Sequence, residues 1–248
     1  MPTDYDDGDT AQRYAATTAR PVRTRIEEYS FLRHIGAVRG RTVLDAACGS
    51  GHFTRILRRS GAAVAGFDIS AKMIELAREQ EAHEPLGIDY AVADARTVVP
   101  RAHHDLVVAA YLLVYARDRA ELAQMCRGLA SRVTAGGRLV TLTTNPDLYT
   151  FDRVPDYGKY GFRVALADSV FDGAPIELTV NAGDSGVAIE NYYLPVQAYE
   201  SALCDAGFDD VRVHLPEVSP APDGADEGDF WDDYLMFPPS IVIEAVRV

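Results

Sequence analysis

The chain has 248 residues, 48% apolar and 25% charged, enough for one α/β unit with a full core and an elaboration around a ligand site. Its net charge of −13 excludes nucleic acid and anionic membrane surfaces as expected partners, since both are bound through basic patches. No apolar run reaches the ~18 residues that span a bilayer, and the acidic start lacks a secretory signal pattern, so a cytoplasmic protein is expected.

Residues 5–35 read as helix in two pieces divided near Pro21. Residues 42–46 form a buried strand with Asp45 at its carboxyl end, and a helix runs from about Gly51 to Ser60 behind a glycine turn. A second strand, 62–67, ends at Asp68, and Ser70 caps a helix over 71–81. A third strand, 88–92, precedes Asp94, and a fourth, 105–110, is near-continuously apolar, as when helices cover both faces. A helix over 117–132 and a turn at Gly136-Gly137 lead into a strand at 138–143. This alternation predicts a parallel sheet with right-handed crossovers. The pattern breaks at 145–194, which is rich in aromatics and contains a hairpin, 176–181 and 187–193, around the GDSG turn at 183–186. Helix 195–206, strand 210–214, an acidic loop at 215–228, a short helix at 230–237 and a last strand at 240–248 complete the chain.

The segment 42–54, TVLDAACGSGHFT, carries the chemistry. Gly49 and Gly51 remove side chains where backbone approaches a ligand, and the following helix offers free N–H groups. Asp45 stands where open α/β sheets bind ligands, at a strand's carboxyl end. A dinucleotide site would have a third glycine and no acid beside the pyrophosphate. S-adenosylmethionine (SAM) has no phosphate and carries a cationic amino group and sulfonium, which suit Asp45. Asp68 then suits the ribose hydroxyls, Asp94 and Ala95 the adenine edge, and Ala110 and Tyr111 the methionine moiety. An NAD-binding oxidoreductase is the alternative of a different class.

The pattern D-x-x-C-G-x-G at 45–51, with Asp68, Asp94 and AGGRLV at 135–140, resembles class I SAM-dependent methyltransferases over 39–144. The segments DLVVAAYLLVYA (105–116), KYGF (159–162), IENYYL (189–194), YESALCDAGFDDVRV (199–213) and DFWDDYLMFPPSIVIEA (229–245) look like toxoflavin synthase-like methyltransferases, which N-methylate a small azapteridine. The resemblance implies a Rossmann-like fold: a seven-stranded, mostly parallel sheet with an antiparallel last strand, an N-terminal helical lid and an insertion after strand 5. Residues 1–248 then form a single domain, with a lid at 1–38, a SAM-binding half at 39–144, a substrate cap at 145–194 and C-terminal helix and strands at 195–248. Ala47, Ile69 and Met73 join the cofactor residues. Val114 departs from the family, which has Asn there, and the missing hydrogen-bonding group bears on azapteridine recognition.

The expected substrate is a small aromatic or heteroaromatic natural-product intermediate, enclosed by Tyr5, Tyr111, Tyr115, Tyr160, Asn191 and Tyr193. Tyr14 closes the SAM pocket near the sulfonium, and Arg23 holds the methionine carboxylate. Methylation of N or O is favoured, with C-methylation of an electron-rich ring such as an indole as the alternative. Positioning supplies most of the catalysis. A base is needed only where the nucleophile must lose a proton, and Tyr115, Tyr14 and His34 are the candidate catalytic residues, with His52 a further histidine in reach. His103 and His104 precede strand 4 and read as a turn. The product would be S-adenosylhomocysteine (SAH). Cys48, Cys126 and Cys204 make neither a disulfide framework nor a metal spacing, so no metal is expected. Monomer and homodimer both stay open.

Overall fold

Strand-length apolar runs separated by amphipathic helices leave one economical arrangement, a sheet with helices on both faces. A computed structural model describes residues 4–17, 20–99, 104–182, 185–221, 224 and 226–248. Its strands are β1 (Thr42–Ala46), β2 (Ala63–Asp68), β3 (Asp89–Val92), β4 (His104–Ala110), β5 (Val133–Thr144), β6 (Phe162–Leu166), β7 (Pro175–Ala182), β8 (Ser185–Tyr192), β9 (Phe208–His214) and β10 (Ser240–Arg247). Seven of them form one sheet in the order β3-β2-β1-β4-β5-β10-β9. Neighbours from β3 to β5 are parallel, whereas β10 runs antiparallel to both β5 and β9. The expected sheet, with its reversed last strand, is observed.

The helices are α1 (Gly8–Ala16), α2 (Tyr29–Ile35), α3 (His52–Arg59), α4 (Ala71–His83), α5 (Arg119–Ala130), α6 (Val196–Asp205) and α7 (Asp232–Met236). Phe31 of α2 and Phe53 and Leu57 of α3 cover Val43, Val108 and Val140 on one face of the sheet. Leu122 and Leu129 of α5 and Tyr199 and Leu203 of α6 cover Val107 and Leu139 on the other. This double cover explains why β1 and β4 are apolar without alternation. Side-chain caps start α4 where the sequence places it and α5 two residues later than expected. Ser70 accepts from the Met73 N–H at 3.1 Å and Asp118 from the Glu121 N–H at 2.8 Å.

Four details differ from expectation. The break near Pro21 is followed by a π-helical turn, Arg23–Glu28, that runs on into α2. Strand β5 begins at Val133, with Gly136 and Gly137 inside it. Gly136 takes φ of 76°, and a Cβ on Gly137 would meet the Asp105 carbonyl, so these glycines bend a strand rather than start one. Helix α5 is shorter than expected because Asp118 caps it. The 145–194 insertion is a three-stranded antiparallel sheet, β6-β7-β8, rather than a hairpin alone. Gly183 and Asp184 of the GDSG turn lie outside the described residues, as do Pro100–His103 in numbering 100–103. No helix among the described residues is long and apolar enough to cross a membrane.

Candidate active site

The carboxyl ends of β1, β2 and β4 converge on a glycine turn. Ala47 and Gly49 both take left-handed backbone, φ 56° and 55°. The Asp68 carboxylate accepts from the Gly49 N–H and the Ser70 N–H, each at 2.9 Å, and so ties the end of β2 to this turn. A Cβ on Gly49 would meet nothing within 4 Å, whereas one on Gly51 would meet the Tyr90 phenol oxygen at 2.5 Å. Gly51 therefore makes room for Tyr90, not for a ligand, which corrects the sequence expectation. Asp45 lies beneath the turn, 1% exposed, and accepts from Thr54 Oγ1 at 2.6 Å. Burial pushes its carboxyl up to about 7, against the opposing pull of the Thr54 hydrogen bond. It lines neither of the cavities described next, so a direct contact between Asp45 and a ligand is not what the geometry offers.

A cavity of about 300 Å3 opens above the turn, bounded by Ala47, Gly49, Asp68, Asp94 and Ala110. Ile69, just before α4, Met73 in its first turn, and Ala95 complete one side, and Leu112 and Met125 add apolar walls that sequence reasoning missed. Burial raises the Asp68 carboxyl above its usual value, while the Ser70 and Gly49 N–H groups oppose the shift. Asp94 is held below its usual value, chiefly by the Arg96 side chain, whose Nη2 lies 2.6 Å from Asp94 Oδ2. Arg96 also donates to Glu121 at 2.9 Å, and both residues line the cavity unforeseen. Their signal, an arginine two positions after a strand-end acid, is too common to single out. Two carboxylates at strand ends, an open glycine and thioether and aliphatic walls fit an adenosyl group with a cationic tail, and they disfavour a pyrophosphate.

The N-terminal segment covers this cavity. Ser70 Oγ lies 2.8 Å from both the Tyr5 carbonyl and the Asp6 carboxylate. The Tyr5 and Tyr115 hydroxyls are 2.6 Å apart, and the Tyr5 and Tyr14 rings meet edge-on at 5.1 Å. Tyr5 thus faces the first cavity, not the acceptor side foreseen for it.

A second, smaller cavity of about 60 Å3 adjoins the first, and Tyr14, Tyr111 and Tyr115 line both. Tyr111 takes φ of 57°, a left-handed conformation costing about 1–2 kcal/mol for a non-glycine residue, and its N–H is tied to the Leu142 carbonyl at 2.7 Å. The far walls come from the insertion, as Phe162, Leu178 and Asn191, and from the π-helical turn, as Arg23 and Glu27. Arg23 and Glu27 are buried and paired at 3.1 Å. The Arg23 guanidinium lies 4.8 Å from the Phe53 ring centre and 5.6 Å from that of Tyr111. Arg23 thus lines the second cavity and not the first, a departure from the methionine-carboxylate role expected of it. Asn191, 3% exposed, accepts from Thr144 Oγ1 at 2.9 Å, while its Nδ2 has no partner, and neither has Arg23 Nε. Burial pushes the Tyr14, Tyr111 and Tyr115 phenols above their usual value. They stay protonated at neutral pH, which corrects the expectation that Tyr14 or Tyr115 acts as a base.

Other foreseen residues are not brought to either cavity. His34 stacks on His214 at 3.9 Å, because α2 delivers it to the β10 side of the sheet, where Arg138 takes its carbonyl. With Glu244 these histidines form a group whose ligand atoms lie within 4.8 Å, but Glu244 is already paired with Arg138 at 2.6 Å. Tyr160 is buried in the insertion's own core, stacked on Trp231 at 5.4 Å and donating to the Phe230 carbonyl at 2.7 Å. Tyr193 packs edge-on against Tyr149 at 5.2 Å. His52 pairs with Glu28 at 2.8 Å. Val114 is buried and lines neither cavity.

Residues 43–137 match the family described as a methyltransferase domain. N-demethylindolmycin N-methyltransferase of Streptomyces griseus is 28% identical over 225 residues, covering 87% of this chain and 92% of that protein. A SAM-dependent methyltransferase from Mesorhizobium loti has the same fold, with a TM-score of 0.61 and 22% identity over 89% of this chain and 98% of that one. Magnesium protoporphyrin IX methyltransferase from Synechocystis PCC 6803, solved with bound SAH, gives a TM-score of 0.61 and 22% identity over 99% of this chain and 97% of that one.

Proposed function

We propose that this class I, SAM-dependent methyltransferase methylates a nitrogen or oxygen atom of a small planar heteroaromatic molecule. The observation that carries the reading is the pair of adjoining cavities with Tyr14, Tyr111 and Tyr115 as their common wall. When bound, SAM supplies an electrophilic methyl group on a sulfonium. Asp68 would accept from the ribose hydroxyls and Asp94 and Ala95 would meet the adenine edge, with Ala47, Gly49, Ile69, Met73 and Ala110 lining the same pocket. Tyr111, Tyr115 and Phe162 hold a flat acceptor by their faces. The free amide N–H of Asn191 donates to a polar atom on that acceptor, because a buried donor without a partner costs about 1–3 kcal/mol that a ligand can recover. Catalysis rests on holding the nucleophile in line with the methyl group and on excluding water beneath the N-terminal segment.

The name of the Streptomyces griseus relative and the resemblance to toxoflavin synthase-like enzymes both support a nitrogen heterocycle. The test is incubation with SAM and a panel of azapteridines, indoles, phenols and aliphatic acids, read by SAH release and product NMR. The expected result is N- or O-methylation of a ring compound. An aliphatic acid as the best substrate, or a C-methylated product, would contradict the reading.

A further inference from the structure

Methyl transfer to an N–H or O–H group leaves a proton that must be taken up. Among the described residues lining the second cavity, the titratable side chains are Tyr14, Arg20, Arg23, Glu27, Tyr111 and Tyr115. The tyrosines are held as phenols by burial. The arginines carry their protons throughout the physiological range. Both histidines considered as bases are occupied elsewhere, His34 against His214 and His52 against Glu28. Glu27 remains.

We propose that Glu27 is the proton acceptor of the reaction, a role that rests on the small-heterocycle reading above. Glu27 is 6% exposed and lines the cavity in which the acceptor would lie. A buried carboxylate without a partner would be strongly destabilising, and Arg23 supplies that partner at 3.1 Å from Oε2. The π-helical turn brings the two together on the cavity side. Such turns are rare and recur at functional sites. The sequence gives no hint of this, since an arginine and a glutamate four apart read as an ordinary surface pair. As the acceptor nitrogen's lone pair forms the N–CH3 bond and the C–S electron pair is left on sulfur, the nitrogen's proton passes to a Glu27 oxygen. A carboxylate is a strong enough base, because a ring nitrogen becomes markedly more acidic as it takes on the methyl group and its positive charge.

Glu27→Gln keeps the shape and removes the proton-accepting oxygen. With the best acceptor of the panel, kcat should fall about 100-fold or more, the scale of general-base catalysis. SAH affinity by calorimetry and acceptor KM should stay within about threefold of wild type. The charged and titratable groups that face Glu27 are Arg20, Arg23, Tyr14, Tyr111 and Tyr234. Because Glu27→Gln leaves Arg23 without its counter-charge, the double variant Arg23→Met, Glu27→Gln should lose kcat equally, and Glu27→Asp should restore part of it. A kcat within about threefold of wild type in both Gln variants overturns the role of Glu27 and leaves the heterocycle reading standing. A wild-type enzyme that binds SAH yet methylates no ring compound overturns both.

Discussion

Asp45 shows how far a residue's type and its role can separate. An acid at the end of the first strand is legible from spacing alone, yet the structure buries it beneath the turn with Thr54 as its partner. Its carboxyl, raised to about 7 from a usual 3.8, stays protonated in the folded state where the unfolded chain has already released its proton. Stability from this group is fully present below about pH 4 and is lost as pH rises through about 7, by up to roughly 4 kcal/mol. Asp45→Asn should therefore stabilise the ligand-free protein at pH 8 relative to wild type and leave the two alike near pH 4, as read by denaturant unfolding at both values. An equal effect at both would contradict the burial argument. Asp68, Asp94 and Gly49 were legible because strand ends and glycine turns are local features. Glu27, Arg96 and Phe162 were not, since nothing local marks a side chain as facing a cavity that three separate segments build.

At the scale of elements, the same contrast holds between helices and the insertion. The cap at Ser70 fixes the start of α4 from sequence, and the apolar runs fix β1, β2 and β4. Strand β6 carries the alternation expected of a strand, with Phe162, Val164 and Leu166 turned inward, but five residues are too few to separate it from a turn. Tyr160 fooled the reading because an aromatic outside the main core can serve a local core instead. The seating of α5 makes a further prediction. Gly128 faces the Ala95 carbonyl so closely that a Cβ there would overlap it, and Ala95 lines the first cavity. Alanine is the better helix former by about 1 kcal/mol, yet Gly128→Ala should destabilise by about 1–3 kcal/mol through overpacking. It should also weaken SAH binding as the 94–96 loop is displaced. Thermal unfolding and calorimetry measure both, and a neutral or stabilised variant would refute the packing account.

For the whole molecule, topology places the chemistry. The parallel strands β1, β2 and β4 point their carboxyl ends the same way, and the N-terminal segment and the insertion close over that edge from two sides. The alternation of strands and helices made the sheet predictable, and the resemblance added the reversed β10. The sequence reading places lid and insertion over the sheet edge and names Tyr14, Tyr111 and Tyr115, but not which of the flanking tyrosines face which cavity, because that depends on contacts between segments more than a hundred residues apart, such as that of Tyr5 with Tyr115. The most direct test of the account is a calorimetric titration of wild type and Asp68→Ala with SAH. Micromolar binding by wild type, weakened at least about tenfold in the variant, is the predicted result, since Asp68 both faces the cavity and ties the glycine turn to β2. Binding that is absent in wild type, or unchanged in Asp68→Ala, would contradict the claim that the adenosyl group lies in the cavity above the glycine turn.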